Sequence, residues 1–255
     1  MNKRSTRQNS GQILLLAVLV ITLLMLSTQL YIYEVGKSMD NVDSAQATSV
    51  IFAIQLGSKH VVTSSLANIS HGGERSVLST NLEDWCFLIG RYYQSGTVFL
   101  SYTLPTTPPY SDGTYVSWGT NGLGITSAIG DFNLSMLDQQ LDIRLFHRVN
   151  ITTAIFEETA GRTLQNTAKQ VDVTFNLSKD GFPALARNIS VQYRISGFWK
   201  PVDESNSYRL IDYGNGTYVS SFEVDTPQNT VDVSVLVRDL RGIYVQANTT
   251  CIITS

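Results

Sequence analysis

The sequence predicts an α+β protein: a long N-terminal helix that serves as transmembrane span and stalk, a short second helix, and mainly antiparallel β structure ending in a β-sandwich. Three observations lead to this prediction. No charged residue lies between Arg7 and Glu34, no proline occurs before Pro105, and from Thr97 the apolar residues recur at every second position. Period-two alternation is typical of strands, whereas a long uncharged apolar run is typical of a membrane helix.

The apolar run at 13–33 is long enough, as a helix, to cross a bilayer core of about 30 Å. Lys3, Arg4 and Arg7 precede it. Only Lys37 follows it closely, so the positive-inside rule places the N-terminus in the cytoplasm and the C-terminal domains outside the cell. We therefore expect a single-pass protein of the cell membrane. A cleaved signal would have a shorter apolar run, and a buried core helix is seldom apolar on every face.

The helical pattern continues past the membrane segment to about Leu66, with small residues at three- and four-residue steps. The glycine pair Gly72 and Gly73 predicts a break, because glycine is costly inside a helix. A second, amphipathic helix is expected over 74–93. Its predicted apolar face consists of Leu78, Leu82, Trp85, Leu88, Ile89 and Tyr92.

Strands are predicted on both sides of a junction at 160–168, which lacks apolar periodicity. In the last ninety residues, apolar side chains keep one parity within each strand, which favours a two-sheet sandwich. The glycine-rich segment 119–124 predicts a turn, since no Lys-Ser/Thr follows it as a phosphate-binding loop requires. The predicted domains are a cytoplasmic basic leader (1–11), a transmembrane helix (12–34), a helical stalk with the second helix (35–96), a β-rich middle domain (97–160) and the β-sandwich (169–255).

Composition excludes several classes of function. Lys and Arg number 18 against 21 acidic residues, so we expect no nucleic-acid partner. Three His and two Cys are scattered along the chain, so we expect no metal and no cofactor. No Gly-x-Ser-x-Gly elbow is present, and the adjacent acidic pairs point to different faces of any helix or strand. The sequence therefore predicts a non-enzymatic protein without catalytic residues.

Seven Asn-x-Ser/Thr sequons lie after the membrane segment, where a glycosylating enzyme outside the cytoplasm would reach them. Ser/Thr-rich β proteins also collect such sequons without being glycosylated. The candidate glycosylation sites are Asn68, Asn133, Asn150, Asn176, Asn188, Asn215 and Asn248.

The two cysteines leave two alternatives open. Cys86 is expected on the second helix and Cys251 on the last strand. An external location permits a disulfide between them, but that bridge would join two regions assigned to different domains. The other alternative is a pair of buried thiols that act as small apolar side chains.

The basic leader, the dipeptide Gly11-Gln12 and the apolar helix that runs on into a polar stalk resemble the archaeal type IV pilin-like proteins and their pseudopilin-type relatives. The match covers about the first 60 residues. The resemblance implies that a prepilin peptidase cuts between Gly11 and Gln12, and that pilin-like or secretion-system subunits contact the helix. Filament subunits of that family carry Glu five residues into the mature chain, where this sequence has Leu16, so a minor or permanently anchored component fits better.

The segment 212–218, Asp-Tyr-Gly-Asn-Gly-Thr-Tyr, precedes alternating strands and resembles immunoglobulin-like modules of prokaryotic surfaces. This resemblance covers 169–255 and implies an immunoglobulin-like β-sandwich.

These observations predict a membrane-anchored, pilin-like cell-surface protein whose external β domains serve structure, adhesion or interaction. The predicted partners are the lipid bilayer and pilin-like or secretion-system subunits, and the sequence does not define the external ligand. The alternative is a membrane-tethered extracellular enzyme or a solute or sugar receptor with a site in the middle domain. The aromatic residues that could line such a site are Tyr102, Tyr110, Tyr115 and Trp118.

Overall fold

The structure is a computed structural model that describes residues 6–93, 98–119, 121–137, 140–156, 160–165 and 167–254. The side chains of 6–20 and 32–46, and those of residues 160, 165 and 254, lie outside the described part. The chain divides into two compact units, Met1–Ile54 and Gln55–Ser255, and each is described by itself.

Two α-helices precede thirteen strands in the described residues. The helices are α1 (Thr6–Ser70) and α2 (Ser76–Tyr92). The strands are β1 (Val98–Thr103), β2 (Thr114–Trp118), β3 (Leu123–Met136), β4 (Leu141–Ile155), β5 (Ala160–Gln165), β6 (Ala168–Lys179), β7 (Phe182–Pro183), β8 (Ala186–Ile195), β9 (Phe198–Pro201), β10 (Arg209–Asp212), β11 (Thr217–Asp225), β12 (Thr230–Asp239) and β13 (Tyr244–Thr254). A single 3₁₀ turn, Glu204–Asn206, lies between β9 and β10.

The predicted transmembrane helix is wrong. Among the residues whose side chains are described, no helix is both long enough and apolar enough to cross a bilayer. In the first unit every side chain from 21 to 31 is exposed, and the hydroxyl groups of Ser27 and Thr28 donate to the Leu24 carbonyl at 3.1 and 3.0 Å. Residues 1–5 of the predicted leader lie outside the described residues.

The predicted α+β class is wrong as well, because the chain is mainly β. Strand structure extends into the region predicted to lack it, because the 160–168 junction contains β5. The physical reason is pairing. Ala160 to Gln165 lacks apolar alternation of its own, yet its backbone is held between β6 on one side and β13 on the other.

The C-terminal turns of α1 pack against α2 through Trp85. Its indole Nε1 donates to the Ser58 hydroxyl at 3.0 Å. The ring lies against Gly57, where an added Cβ would come within 2.3 Å of it. Glycine inside this helix therefore makes room for the indole. The predicted apolar face of α2 is only partly correct, since Leu78, Leu82 and Ile89 are buried while Leu88 and Tyr92 are exposed.

One continuous sheet path runs in the order β1-β3-β4-β6-β5-β13-β12-β8-β9, with β2 on β3, β7 and β11 on β6, and β10 on β11. All pairs are antiparallel except β5 with β13. Strand β4 pairs with β6 from Ile151↔Lys179 to Ile155↔Phe175. Strands on both sides of the predicted 160–168 junction thus share one sheet within the second unit.

The C-terminal strands form two layers. Strands β6 and β11 lie in one layer and β8, β12 and β13 in the other, joined where the Tyr193 and Phe222 rings approach to 5.9 Å. Most residues with inward parity are buried, as their alternation predicts, whereas Ile189 is half-buried. The buried alternates are Val171, Val173, Phe175, Val191, Tyr193, Val231, Val233, Val235 and Val237.

The turn between β12 and β13 connects β4 to these two layers through hydrogen bonds and ion pairs. Arg241 donates to Asp239 at 2.6 Å, to Asp180 at 3.1 Å and to the Asn150 carbonyl at 2.9 Å. Asp239 is 1% exposed and also accepts from the backbone N–H groups of Arg241 and Ile243. One guanidinium therefore joins β4, the turn after β6, and the β12–β13 turn.

Replacing Val233 by Asp is expected to abolish cooperative unfolding of the second unit. Val233 is 0% exposed, and a carboxylate there has no partner. The free-energy cost of burying that charge is expected to exceed a total stability of about 5–15 kcal/mol. Thermal and urea unfolding of the full chain measures the effect. Asp232→Asn, next in sequence but pointing outward, is the control and should melt like the parent. Similar melting of both variants would contradict the register of β12.

Replacing Arg241 by Met is expected to cost about 3–5 kcal/mol, because Asp239 and Asp180 then keep their charges without the guanidinium. The control is Arg144→Met, which removes an ion pair with Asp131 whose Arg side chain is 75% exposed. That change should cost much less, because solvent screens exposed pairs. Denaturant unfolding compares the two, and equal losses would show that the Arg241 cluster does not hold the strands together.

Candidate functional site

The seven sequon asparagines fall into two groups. Four are exposed: Asn68, Asn133, Asn188 and Asn215. The other three are partly buried and held by contacts. Asn176 accepts from Thr217 at 2.9 Å, Asn248 accepts from Gln246 at 3.1 Å, and Asn150 Oδ1 is buried without a partner among the described residues. The first group is accessible to an enzyme that modifies folded protein, and the second is not.

Both cysteines are free thiols. Cys86 is half-buried on α2, and burial raises its pKa to about 11. Cys251 is buried on β13, where burial and the charge of Asp232 raise its pKa to about 12. Both therefore stay protonated and unreactive near neutral pH.

The predicted processing junction, Gly11 and Gln12, lies inside α1. Its side chains are outside the described residues. Processing after Gly11 stays a prediction.

The aromatic residues of the predicted middle-domain site are separated. Tyr110 and Tyr115 meet edge to face with ring centroids 5.9 Å apart. Trp118 instead donates to Thr126 at 3.2 Å, and the Tyr102 hydroxyl donates to the Ser79 carbonyl on α2 at 3.3 Å. The structure therefore does not form the aromatic cluster suggested by the sequence.

Strands β1, β3 and β4 form a sheet with one buried and one open face. Buried residues such as Leu100, Phe132 and Leu145 share the inner face. The α-helices cover this face, since Val62 of α1 lies against Gly130 of β3 and α2 contacts β1. Residues of the opposite parity are therefore directed outward. The open face carries Phe99, Ser101, Thr103, Asp131, Asn133, Arg144, Phe146 and Arg148.

A groove of about 380 Å³ crosses this open face beside the loop after β1. We call it the Asp131–Arg144 groove. Its lining residues are Thr103, Leu104, Pro105, Thr107, Pro108, Tyr110, Ile129, Asp131, Arg144, Phe146 and Arg148. One wall is apolar and the other is charged.

An ion pair orders the charged wall. Arg144 Nε donates to both carboxylate oxygens of Asp131, at 2.9 and 3.0 Å, and its Nη2 also contacts Oδ2. The hydrogen bonds from Arg144 lower the pKa of Asp131, which is therefore ionised at neutral pH. The Arg148 guanidinium lies over the Phe146 ring, 5.9 Å from its centroid.

Asp131, Arg144, Phe146 and Arg148 are not among the site residues predicted from the sequence. A weak signal exists along β4, where Arg144, Phe146 and Arg148 share one parity and alternate with Leu145, His147 and Val149. Nothing in the sequence shows that Asp131 lies diagonally across from Arg144, because that contact depends on the β3–β4 register.

The glycine-rich segment 119–124 contacts another strand instead of forming a ligand loop. Gly122 donates to the Asn248 carbonyl at 2.8 Å, and the Asn248 N–H donates to Gly119 at 3.0 Å. An added Cβ at Gly124 would lie 2.1 Å from the Gln246 carbonyl oxygen. Glycine is therefore required for the close approach of β13. Within the described residues, no group of three His, Cys, Asp or Glu side chains could hold a metal ion.

Comparison with known proteins gives little further guidance. No family model matches the chain, and no curated protein matches it. One structure with which it shares a likeness is the N-terminal Ig1-2 module of the Drosophila receptor protein tyrosine phosphatase DLAR. The identity is 16%, the match covers 40% of this chain and 48% of that chain, about half its length, and the TM-score is 0.25. A likeness this loose has no bearing on function. The resemblance to pilin-like proteins receives no support from these comparisons.

His147 is expected to make the stability of the second unit depend on pH. It is 9% exposed on the inner face of β4, its ring meets Phe132 at 5.8 Å, and its Nε2 has no partner among the described residues. Burial, together with the charge of Lys59, lowers its pKa. The unfolded chain therefore binds a proton at His147 more readily than the folded chain does. The contribution of His147 to stability is expected to be complete above pH about 6.5 and to fall as the pH drops below that value.

We expect His147→Phe to reduce the loss of melting temperature between pH 7.5 and pH 5, because the ring at 147 no longer binds a proton. Thermal melting at a series of pH values measures this. His60→Gln, an exposed position on α1, is the control and should leave the pH dependence as it is. The same pH dependence in the parent and in His147→Phe would mean that His147 is not the responsible group.

Proposed function

We propose that this chain is a non-enzymatic component of the cell surface whose second unit binds an external partner through the open face of β1, β3 and β4. The observation that carries the proposal is the composition of that face. Phe99 and Phe146 are 52% and 54% exposed on this face, which also carries Arg144 and Arg148. Exposed aromatic and arginine side chains are the residues that most often anchor protein interfaces.

Two further features support an external interaction module. The two layers formed by β6 and β11 against β8, β12 and β13 support an immunoglobulin-like interpretation of the C-terminal part. The exposed sequons at Asn68, Asn133, Asn188 and Asn215 are compatible with glycosylation outside the cytoplasm. The predicted partners of the N-terminal helix, the lipid bilayer and pilin-like or secretion-system subunits, stay predictions, as does the pilin-like interpretation of the first 60 residues.

A second candidate function is a receptor for a solute or sugar. The Asp131–Arg144 groove favours it, since small-molecule sites combine apolar walls with a few fixed polar groups. Both candidates use the same face of the sheet and differ in the size of the partner.

The proposal predicts how a cysteine introduced on the open face reacts in intact cells. Asn133→Cys should react with a membrane-impermeant maleimide without lysis, and more slowly in cells than in the purified chain, because a partner covers the face. Asn188→Cys, an exposed position on β8, is the control and should react at the same rate in both. Mass spectrometry measures the rates, and the raised pKa values of Cys86 and Cys251 keep the background low.

Two results would contradict the proposal. Labelling of Asn188→Cys only after lysis would contradict the external location. Equal rates for Asn133→Cys in cells and in the purified chain would contradict the open face as the contact surface.

A further inference from the structure

We propose that the Asp131–Arg144 groove binds a sugar that carries a carboxylate, as in the uronic acid units of acidic glycans. The inference rests on the proposed external location and deepens the second candidate function, the solute or sugar receptor, by assigning a chemical class to its ligand. It depends on the charge, shape and hydrogen-bonding groups of the two walls of the groove.

The charge of the groove is positive because of Arg148. Of the three charged residues in the lining, Arg144 and Asp131 neutralise each other. Arg148 has no ion pair within the described part of the chain, and its contact is with the Phe146 ring. A guanidinium offers a planar fork of donors that matches a carboxylate. The ligand is therefore expected to present an anionic carboxylate to Arg148.

The opposite wall is suited to the C–H face of a sugar ring. Pro105, Pro108 and Tyr110 line it together with Leu104 and Ile129. The Tyr110 hydroxyl is engaged with Ser127 at 3.0 Å, and Tyr115 meets its ring edge to face. These contacts hold the Tyr110 ring in place without a ligand, so binding a ligand there loses little conformational entropy.

The polar groups between the walls favour a sugar over an acidic peptide. Thr103 and Thr107 supply hydroxyl groups that both donate and accept, and the Asp131 carboxylate accepts. Neighbouring sugar hydroxyls need donors and acceptors side by side, whereas an acidic peptide side chain needs donors alone. The volume of about 380 Å³ is near the lower end for small-molecule sites and fits a monosaccharide or disaccharide.

Arg144 and Asp131 fix the orientation of the charged wall. The two-pronged contact holds the Asp131 carboxylate across the β3–β4 register, so its remaining acceptor positions are preset. Arg144 is then a positioning residue, and Arg148 is the residue that contacts the ligand carboxylate.

The test is a saturation-transfer NMR titration of the full chain with D-glucuronic acid as the probe. D-glucose, which lacks the carboxylate, and a glutamate-rich peptide are the comparison ligands. We expect glucuronate to bind with its ring protons saturated by the apolar wall, and glucose to bind at least about tenfold more weakly because a charge-assisted hydrogen bond is lost.

Arg148→Gln should weaken glucuronate binding about tenfold or more without changing the melting temperature, because Arg148 is exposed. Arg148→Lys should retain part of the affinity, since the charge stays while the planar fork is lost. Arg187→Gln, at an exposed position on β8 outside the groove, is the matched control and should bind like the parent.

Three results would overturn the inference: equal affinity for glucuronate and glucose, unchanged glucuronate binding in Arg148→Gln, or Arg148-dependent binding of the peptide without binding of glucuronate. Each of them leaves the proposed function standing if Asn133→Cys and Asn188→Cys label as expected in cells. Labelling of Asn188→Cys only after lysis would instead overturn the proposed function, whatever the NMR titration shows.

Discussion

The second unit depends on one guanidinium held among oxygen atoms from three parts of the chain. Arg241 joins the β12–β13 turn to Asp180 and to the Asn150 carbonyl, and it neutralises Asp239, which is almost completely buried. Close by, the Tyr244 N–H donates to Ser70 Oγ at the end of α1 at 3.0 Å, and the His71 and Tyr244 rings stack at 5.1 Å. A single turn therefore fixes helix, middle strands and C-terminal layers together.

The Arg241 contacts also restrict the strands that form the open face of β1, β3 and β4. With the inner face of that sheet committed to α1 and α2, and β4 paired to β6, the strands have little freedom to twist relative to the layers behind them. The Asp131–Arg144 groove then belongs to a rigid scaffold, although its apolar wall comes from the loop after β1. Sites held on strands in this way bind with a small loss of conformational entropy.

The same scaffold explains why candidate residues of similar chemistry differ in what they can do. Asn133 and Asn150 are both sequon residues on adjacent strands, but one amide is exposed on the open face and the other is buried beside the Arg241 cluster. Arg144 and Arg241 both pair with aspartate, yet the first side chain is 75% exposed and the second 13%. Solvent screening leaves the first pair with little effect on stability, and burial makes the second pair structural.

The sequence by itself determined the parity of the C-terminal strands, the helix break at Gly72 and the α2 segment, because these follow from local periodicity and from the conformational cost of glycine. It also suggested a membrane span and an α+β class, and both were wrong. Tertiary structure alone decided that β5 is a strand, that β4 joins β6, and that Asp131 meets Arg144. Those features are pairings between segments distant in sequence, and no periodicity within one segment specifies its partner or its register.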